Sequence, residues 1–340
     1  MSAPPIPDPN PVLNLMNAFR GSAILFTSVS LGVFDLLADG PARVENLASR
    51  LSANPDALGR LLDACVNLGL LQRVGSDYAN TPAAEVYLTR KSPRRLTGYI
   101  TYSDRILWKL WADLGSAVRE GTHRWKQSFG LDGPIFASLF KTPEDTREFT
   151  WGMHGYGQIC SPVVADTFDL AGFKHLVDLG GATGHLAIAA CQRFPHLRAT
   201  ILDLSAVVPL AKEVLATVPD VASRIDTHIA DFFVDPLPPA DLYAVGRILH
   251  DWSEDKIDRL LRRVQESLPP GGALLIVEKV LDEDRSGPTW ALMQSLNMLL
   301  CTEGKERTFS EYQSLLRAAG FSQVEIRRTG APLDAILARK

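Results

Sequence analysis

The spacing of apolar and polar positions changes character three times along the chain. From Asn14 to Ala38, NLMNAFRGSAILFTSVSLGVFDLLA is apolar all round instead of along one stripe, which predicts helices buried on two sides. A second copy of the chain is one way to provide the second side. PARVENLASRLS and PDALGRLLDACVNLGLL follow as two short amphipathic helices, the second opened by Asn54 as N-cap with Pro55 at the first helical position. LLQRVGSDYANT then reads as strand, Gly-Ser turn, strand. Helix, helix, hairpin in that order is a winged-helix pattern. Residues 91–168 read as helical and aromatic-rich, with Tyr99, Tyr102, Trp108, Trp111, Trp125, Phe129, Phe136, Phe140, Phe149 and Trp151, most of them expected to be core.

From about Gly172 short apolar runs alternate with helical patterns: HLVDLGG, RATILDL, IDTHIADFF, LYAVGRIL and GGALLIVEKV. Such βα alternation predicts a parallel, Rossmann-like sheet with helices on both faces. The end differs, because after helices near Trp290–Thr302 and Ser310–Ala319 the runs VEIRRTG and LDAILARK are joined by a turn too short for a crossover helix. They must pair antiparallel. The expected fold is therefore α/β, with a terminal antiparallel hairpin, behind a mostly helical winged-helix-like region. The expected divisions are 1–90, 91–168 and 169–340.

Composition narrows the function classes. The 340 residues carry a formal net charge of −4, which gives no electrostatic reason to expect nucleic acid or anionic lipid. The winged-helix stretch itself is neutral, with Arg43, Arg50, Arg60, Arg73 and Arg90 against Glu45, Asp56, Asp63, Asp77 and Glu85, and a neutral wing reads phosphates poorly. Cys65, Cys160, Cys191 and Cys301 share no short spacing, so neither a disulfide framework nor a zinc ribbon is indicated, and a reducing, cytoplasmic compartment is expected. MSAPPIPDPNP reads as a disordered leader with no signal-peptide pattern, and no run approaches the roughly 20 apolar residues of a membrane span.

The chemistry concentrates at strand ends. VDLGGATGH sets Asp178, Gly180, Gly181 and Gly184 at the first βα turn, where glycines admit a ligand close to the backbone and a helix N-terminus offers free N–H groups. The spacing is G-G-x-x-G, and the carboxylate of Asp178 would repel a pyrophosphate but attract an ammonium group. An amino-acid-bearing nucleoside fits better than a dinucleotide. Asp203 ends the second strand, 19 residues after Gly184, where an acid can take both hydroxyls of a ribose. Asp231 and Phe232 put a carboxylate and a ring at the same edge, suited to the amine and face of an adenine. RILHDW places His250 and Asp251 at the end of the fourth strand, and a lone histidine there could equally be a strand-end residue. His154, His175, His185 and His228 read as surface or satisfied core residues. No Asp/Glu/His cluster has metal-ligand spacing.

These motifs resemble those of the class I S-adenosylmethionine-dependent methyltransferases. Beyond them, LGVFDLLA, AVREG, DFFVDPLPPADLYAVGRILHDW, LNMLLCTEGKERT and TGAPLDAILARK are similar to the plant and bacterial small-molecule O-methyltransferases, closest to their acetylserotonin (hydroxyindole) branch. The resemblance implies S-adenosyl-L-methionine as cofactor, a small aromatic acceptor (hydroxyindole, phenol or polyketide) and a homodimer. It implies His250 as general base, with Glu278 and Glu306 flanking the imidazole. It further implies Arg247 as a cofactor contact and Asp251, Asn297, Phe149 and Met153 as substrate contacts. Three positions depart from the branch's animal members: Cys301 replaces a glutamine, Phe140 a tyrosine and Gly157 a tryptophan. Two rival readings are an NAD(P)-dependent oxidoreductase, which the glycine spacing and terminal hairpin disfavour, and a winged-helix ligand-responsive regulator, which the neutral wing disfavours.

Overall fold

The structure, a computed structural model, describes residues 6–132 and 142–340. By internal contacts the chain separates into two units, Met1–Asp104 and Arg105–Lys340. In the first, the Asn54 side chain accepts the Ala57 N–H at 3.0 Å and so caps the helix Pro55–Asn67. That helix follows Val44–Leu51 and leads into strands β1 (Leu71–Val74) and β2 (Asp77–Asn80). The two-residue link, with Gly75 at φ +60°, pairs Val74 with Asp77 and completes the expected helix-helix-hairpin. Val33, Phe34, Leu37, Leu47, Leu58 and Leu62 form its core.

The first helix, Asn10–Leu31, buries only Ser28 and Val29 within the chain, while Val12, Leu13, Leu15, Met16 and Phe19 remain 42 % to 75 % exposed. The last two residues of the stretch MSAPPIPDPNP, expected as a leader, belong to this helix. Residues 1–5 lie outside the described ones, and the helix begins at Asn10, because proline is tolerated in a first turn and the Asp8 carboxylate accepts the Asn10 N–H at 3.0 Å.

The aromatic middle segment departs from expectation. Phe136 and Phe140 lie outside the described residues, and of the other eight aromatic positions only Tyr102 and Trp125 are buried. The rings that stay half-buried or exposed lie both on short helices, as Trp108 and Trp111 do on Trp108–Ala112, and on the 23-residue helix Pro143–Ala165, which carries Phe149 and Trp151.

The second unit is built on a seven-stranded sheet, β3 (His175–Leu179), β4 (Arg198–Asp203), β5 (Ile225–Ile229), β6 (Leu242–Gly246), β7 (Ala273–Glu278), β8 (Gln323–Arg327) and β9 (Asp334–Arg339), in the order β5-β4-β3-β6-β7-β9-β8. β3 to β7 are parallel, while β9 runs antiparallel between β7 and β8. The strands are apolar because both faces are covered: Leu176, Ile201 and Leu275 face one core, and Val177, Leu202 and Ile276 the other. Strand order reverses between β3 and β6, which opens a crevice at the carboxyl ends of those strands.

One buried carboxylate locks the terminal hairpin. Asp334, with no exposed surface, accepts the backbone N–H groups of Val280 and Thr329 at 3.2 Å each, Lys279 at 3.2 Å and Arg328 at 3.0 Å. Asp334→Ala should therefore cost about 3–5 kcal/mol in urea unfolding, as expected when a buried ion pair loses one member. Glu325→Ala, on the exposed edge of β8, should stay within about 0.5 kcal/mol.

Candidate active site

The crevice at the ends of β3, β4 and β6 gathers the carboxylates found in the sequence. Gly180 and Gly184 have φ of +67° and +81°. A Cβ at Gly180 would lie 2.6 Å from Ile248 Cδ1, and one at Gly184 would lie 2.1 Å from Ile201 Cδ1. Gly184 is thus required for the approach of the helix His185–Arg193 to β4, a packing role, while Gly180 lets the loop lie close against Ile248 and Phe232.

Asp178 is 2 % exposed, and its Oδ2 has no hydrogen-bond partner among the described residues. Burial, and then the nearby Asp203 carboxylate, push its carboxyl up to about 7. Asp203 itself is pushed up to about 6 by burial, although its oxygens accept the N–H groups of Ala182 at 2.8 Å and Leu204 at 2.7 Å. Asp231 makes a local turn, accepting the Phe233 N–H at 2.8 Å.

A second group forms beyond β6. Arg247 takes up φ +58°, a conformation most side chains avoid. From there its guanidinium donates to Met153 Sδ at 3.0 Å and lies 4.9 Å from the centre of the Tyr156 ring. Met153, Phe149 and Tyr156 all sit on the helix Pro143–Ala165. Tyr156 was not singled out from the sequence, though its place three residues after Met153 puts it on the same helical face.

His250 sits in a single 3₁₀ turn, Leu249–Asp251, and is 3 % exposed. Its Nδ1 and Glu306 Oε1 are 2.6 Å apart. Its Nε2 makes no hydrogen bond among the described residues, with Asp251 Oδ1 at 3.7 Å. Glu306 pairs with neither of its basic neighbours: Arg307 and Lys305 both turn to Glu254. Glu278 does not touch the imidazole through a hydrogen bond. Instead its Oε1 accepts the backbone N–H groups of Ile248, Leu249 and His250 at 3.2, 2.6 and 3.1 Å, and its Oε2 accepts the hydroxyl of Tyr312.

Gly304 brings the Glu306 loop in, since a Cβ there would meet the His250 carbonyl at 2.2 Å. Donor atoms of His250, Glu278 and Glu306 come within 4.8 Å of one another, a cluster that no local spacing announced. The hydrogen bonds above already engage each of the three.

On the helix Thr289–Cys301, Asn297 Oδ1 accepts the Trp111 Nε1–H at 2.9 Å, and the Cys301 thiol lies 3.7 Å from the same oxygen. The other histidines follow the sequence reading. His154 and His185 are bonded to Thr183 and Ser161 at 2.8 Å each, His175 to Thr200 at 2.9 Å, and His228 is exposed. His185 fills the space beside Gly157, where a Cβ would fall 2.3 Å from its ring.

This geometry has known counterparts. Residues 111–322 match the profile of the O-methyltransferase domain, and residues 13–90 that of the O-methyltransferase dimerisation domain. The chain belongs to the O-methyltransferase family. The acetylserotonin O-methyltransferase of Gallus gallus is 42 % identical over 98 % of this chain and 97 % of its own length, and that of Bos taurus is 41 % identical over 95 % of each. The crystal structure of human N-acetylserotonin methyltransferase in complex with SAM superposes with a TM-score of 0.93 at 37 % identity, covering 100 % of this chain and 99 % of that one. The structure of the mitomycin 7-O-methyltransferase MmcR gives 0.85 at 27 % identity, covering 97 % of each.

The enzyme is an S-adenosylmethionine-dependent O-methyltransferase, which removes the oxidoreductase and regulator readings. The buried, unpartnered oxygen of Asp178 fits a cofactor that carries an ammonium group. No helix among the described residues is long and apolar enough to cross a membrane.

The electrostatics of His250 set a pH dependence. Burial pushes its imidazole down, but the carboxylates of Glu306, Asp251 and Glu278 outweigh burial and carry it up to about 9. If turnover needs deprotonated His250, kcat/KM should rise with pH along a limb displaced upward from the ordinary value near 6.5 toward 9. Glu306→Gln removes the largest raising cause, and the limb should move to lower pH, with Asp251 and Glu278 still opposing burial. A pH–rate profile of the two proteins measures this.

Proposed function

We propose that the enzyme methylates an aromatic hydroxyl of a small molecule, with His250 as the general base. The observation that carries this reading is the buried imidazole whose Nδ1 is committed to Glu306 while its Nε2 is left for an incoming proton. S-adenosyl-L-methionine supplies an electrophilic methyl group on a sulfonium. His250 Nε2 would take the proton of the acceptor O–H, and the Nδ1–H donates to Glu306, which holds the tautomer and would stabilise the imidazolium. A phenol near pKa ~10 lies far above an ordinary imidazole at ~6.5, so transfer between them is uphill by several units. Raising His250 to about 9 removes most of that gap.

Asp178, Gly180, Asp203, Asp231, Phe232 and Arg247 are assigned to the cofactor, with Gly184 supporting the loop. Glu278 is assigned to presenting the base, and Asp251, Asn297, Phe149 and Met153 to the acceptor. The chain is read as a homodimer, a reading supported by the dimerisation-domain match and by the exposed apolar face of the first helix. The divisions 1–90, 91–168 and 169–340 are retained as dimerisation region, acceptor-pocket segment and catalytic domain. A cytoplasmic setting is supported by four cysteines that are free and buried.

Calorimetry with S-adenosylmethionine and with NADH should give heat with the first only. His250→Ala should bind S-adenosylmethionine as the wild type does, while turnover of hydroxyindoles, catechols or flavonoids with labelled cofactor drops by roughly 10²–10⁴. Unchanged turnover in that variant would remove His250 from the reaction.

A further inference from the structure

Two histidines outside the base cluster join the cofactor turn to the helix Pro143–Ala165. Thr183, within the turn and with no exposed surface, shares a 2.8 Å hydrogen bond with His154 Nδ1, and His154 is itself 5 % exposed. One helical turn along, Gln158 Nε2 lies 3.2 Å from His154 Nε2. An amide nitrogen only donates, so Nε2 accepts, the ring proton sits on Nδ1, and Nδ1–H donates to the Thr183 hydroxyl. Seven residues beyond His154, Ser161 is bonded to His185 Nδ1 at 2.8 Å. Between them Gly157 leaves room for the His185 ring. His154, Gly157 and Ser161 share one face of the helix, docked on both sides of Gly184.

The turn needs support from outside. Gly180, Ala182 and Gly184 have φ of +67°, +50° and +81°, and the Cβ of Ala182 disfavours that conformation. Toward β4 the turn is held by Asp203, which accepts the Ala182 N–H at 2.8 Å, and by the Leu202 carbonyl, which accepts the Gly180 N–H at 2.8 Å. Toward the helix Pro143–Ala165 it is held by the bond from His154 to Thr183. One residue before His154, Met153 accepts from the Arg247 guanidinium at 3.0 Å. The helix thus grips the cofactor turn through one residue and carries, in the one before it, a side chain assigned to the acceptor.

We propose that His154 is a positioning residue that holds the cofactor turn in its binding conformation and links the order of that turn to the helix Pro143–Ala165. It acts through Thr183 and needs no contact with the reacting atoms. A turn held in advance loses less freedom when the cofactor arrives, so the same bond raises cofactor affinity. A helix tied to that turn is steadied by the same binding event, before any acceptor is present. The consequence for turnover rests on the assignment of Phe149 and Met153 to the acceptor. The test needs no acceptor, so the two readings can fail separately.

His154→Asn and His154→Gln separate positioning from packing. Asparagine keeps an N–H donor near the Nδ1 position, and with it the bond to Thr183, whereas glutamine carries its donor out to the Nε2 position and loses that bond. In calorimetry with S-adenosylhomocysteine, His154→Asn should bind within about twofold of the wild type. His154→Gln and Thr183→Val should bind about fivefold more weakly, the worth of one hydrogen bond. Hydrogen exchange read by mass spectrometry should show the ligand protecting residues 149–161 as well as the turn 178–185 in the wild type and in His154→Asn. In His154→Gln and Thr183→Val the turn stays protected, and the helix exchanges as it does without ligand. If Thr183→Val does not fold, the asparagine and glutamine variants decide. Absence of helix protection in the wild type would overturn the proposal, and so would equal affinity and equal protection in those two variants. Helix protection as expected, with no aromatic acceptor turned over, would uphold the proposal and defeat the acceptor reading alone.

Discussion

The catalytic half of the molecule depends on one carboxylate at the end of β7. Glu278 collects three consecutive backbone N–H groups on one oxygen and the Tyr312 hydroxyl on the other. A strand end, the turn that bears His250 and the helix Phe309–Ala318 are thereby joined at a point with 1 % exposure. Burial pushes this carboxyl up and the Glu306 carboxylate adds to the rise, while the His250 imidazole, the Tyr312 hydroxyl and Arg307 pull it back without cancelling it. Without Glu278, the three N–H groups of a one-turn helix would be orphaned beside the His250–Glu306 pair.

The same economy of charge governs the pocket. Carboxylates from three separate segments, Asp251, Glu278 and Glu306, are held around His250 in low-dielectric surroundings. Asp251 is pushed up to about 6 by burial, and Asp178, at the glycine turn, to about 7. The field of Glu306, Asp251 and Glu278 lifts the imidazole despite its burial. The basicity of His250 is a property of the cluster.

Much of this was legible because periodicity is local. The βα alternation, the capped helix at Asn54, the G-G-x-x-G turn and the terminal hairpin each follow from residues within one or two elements. Functions that depend on distant pairing were less visible. The 56 residues between His250 and Glu306, and the 34 between Glu278 and Tyr312, are bridged only by the folded sheet. Resemblance named Glu278 as flanking the imidazole, but hydrogen bonding shows it gripping backbone, a distinction no side-chain pattern can carry. Gly304 went unnoticed because its role is an absence of volume beside a carbonyl 54 residues upstream. The aromatic segment was over-read as core, since composition reports apolar content and not which rings the fold encloses.

The close approach of Gly304 to the His250 carbonyl constrains substitution far from any side-chain contact. A Cβ at position 304 would fall 2.2 Å from that carbonyl, so any other residue there would push apart the turn that bears His250 and the loop that bears Glu306, and with them the 2.6 Å bond between the two side chains.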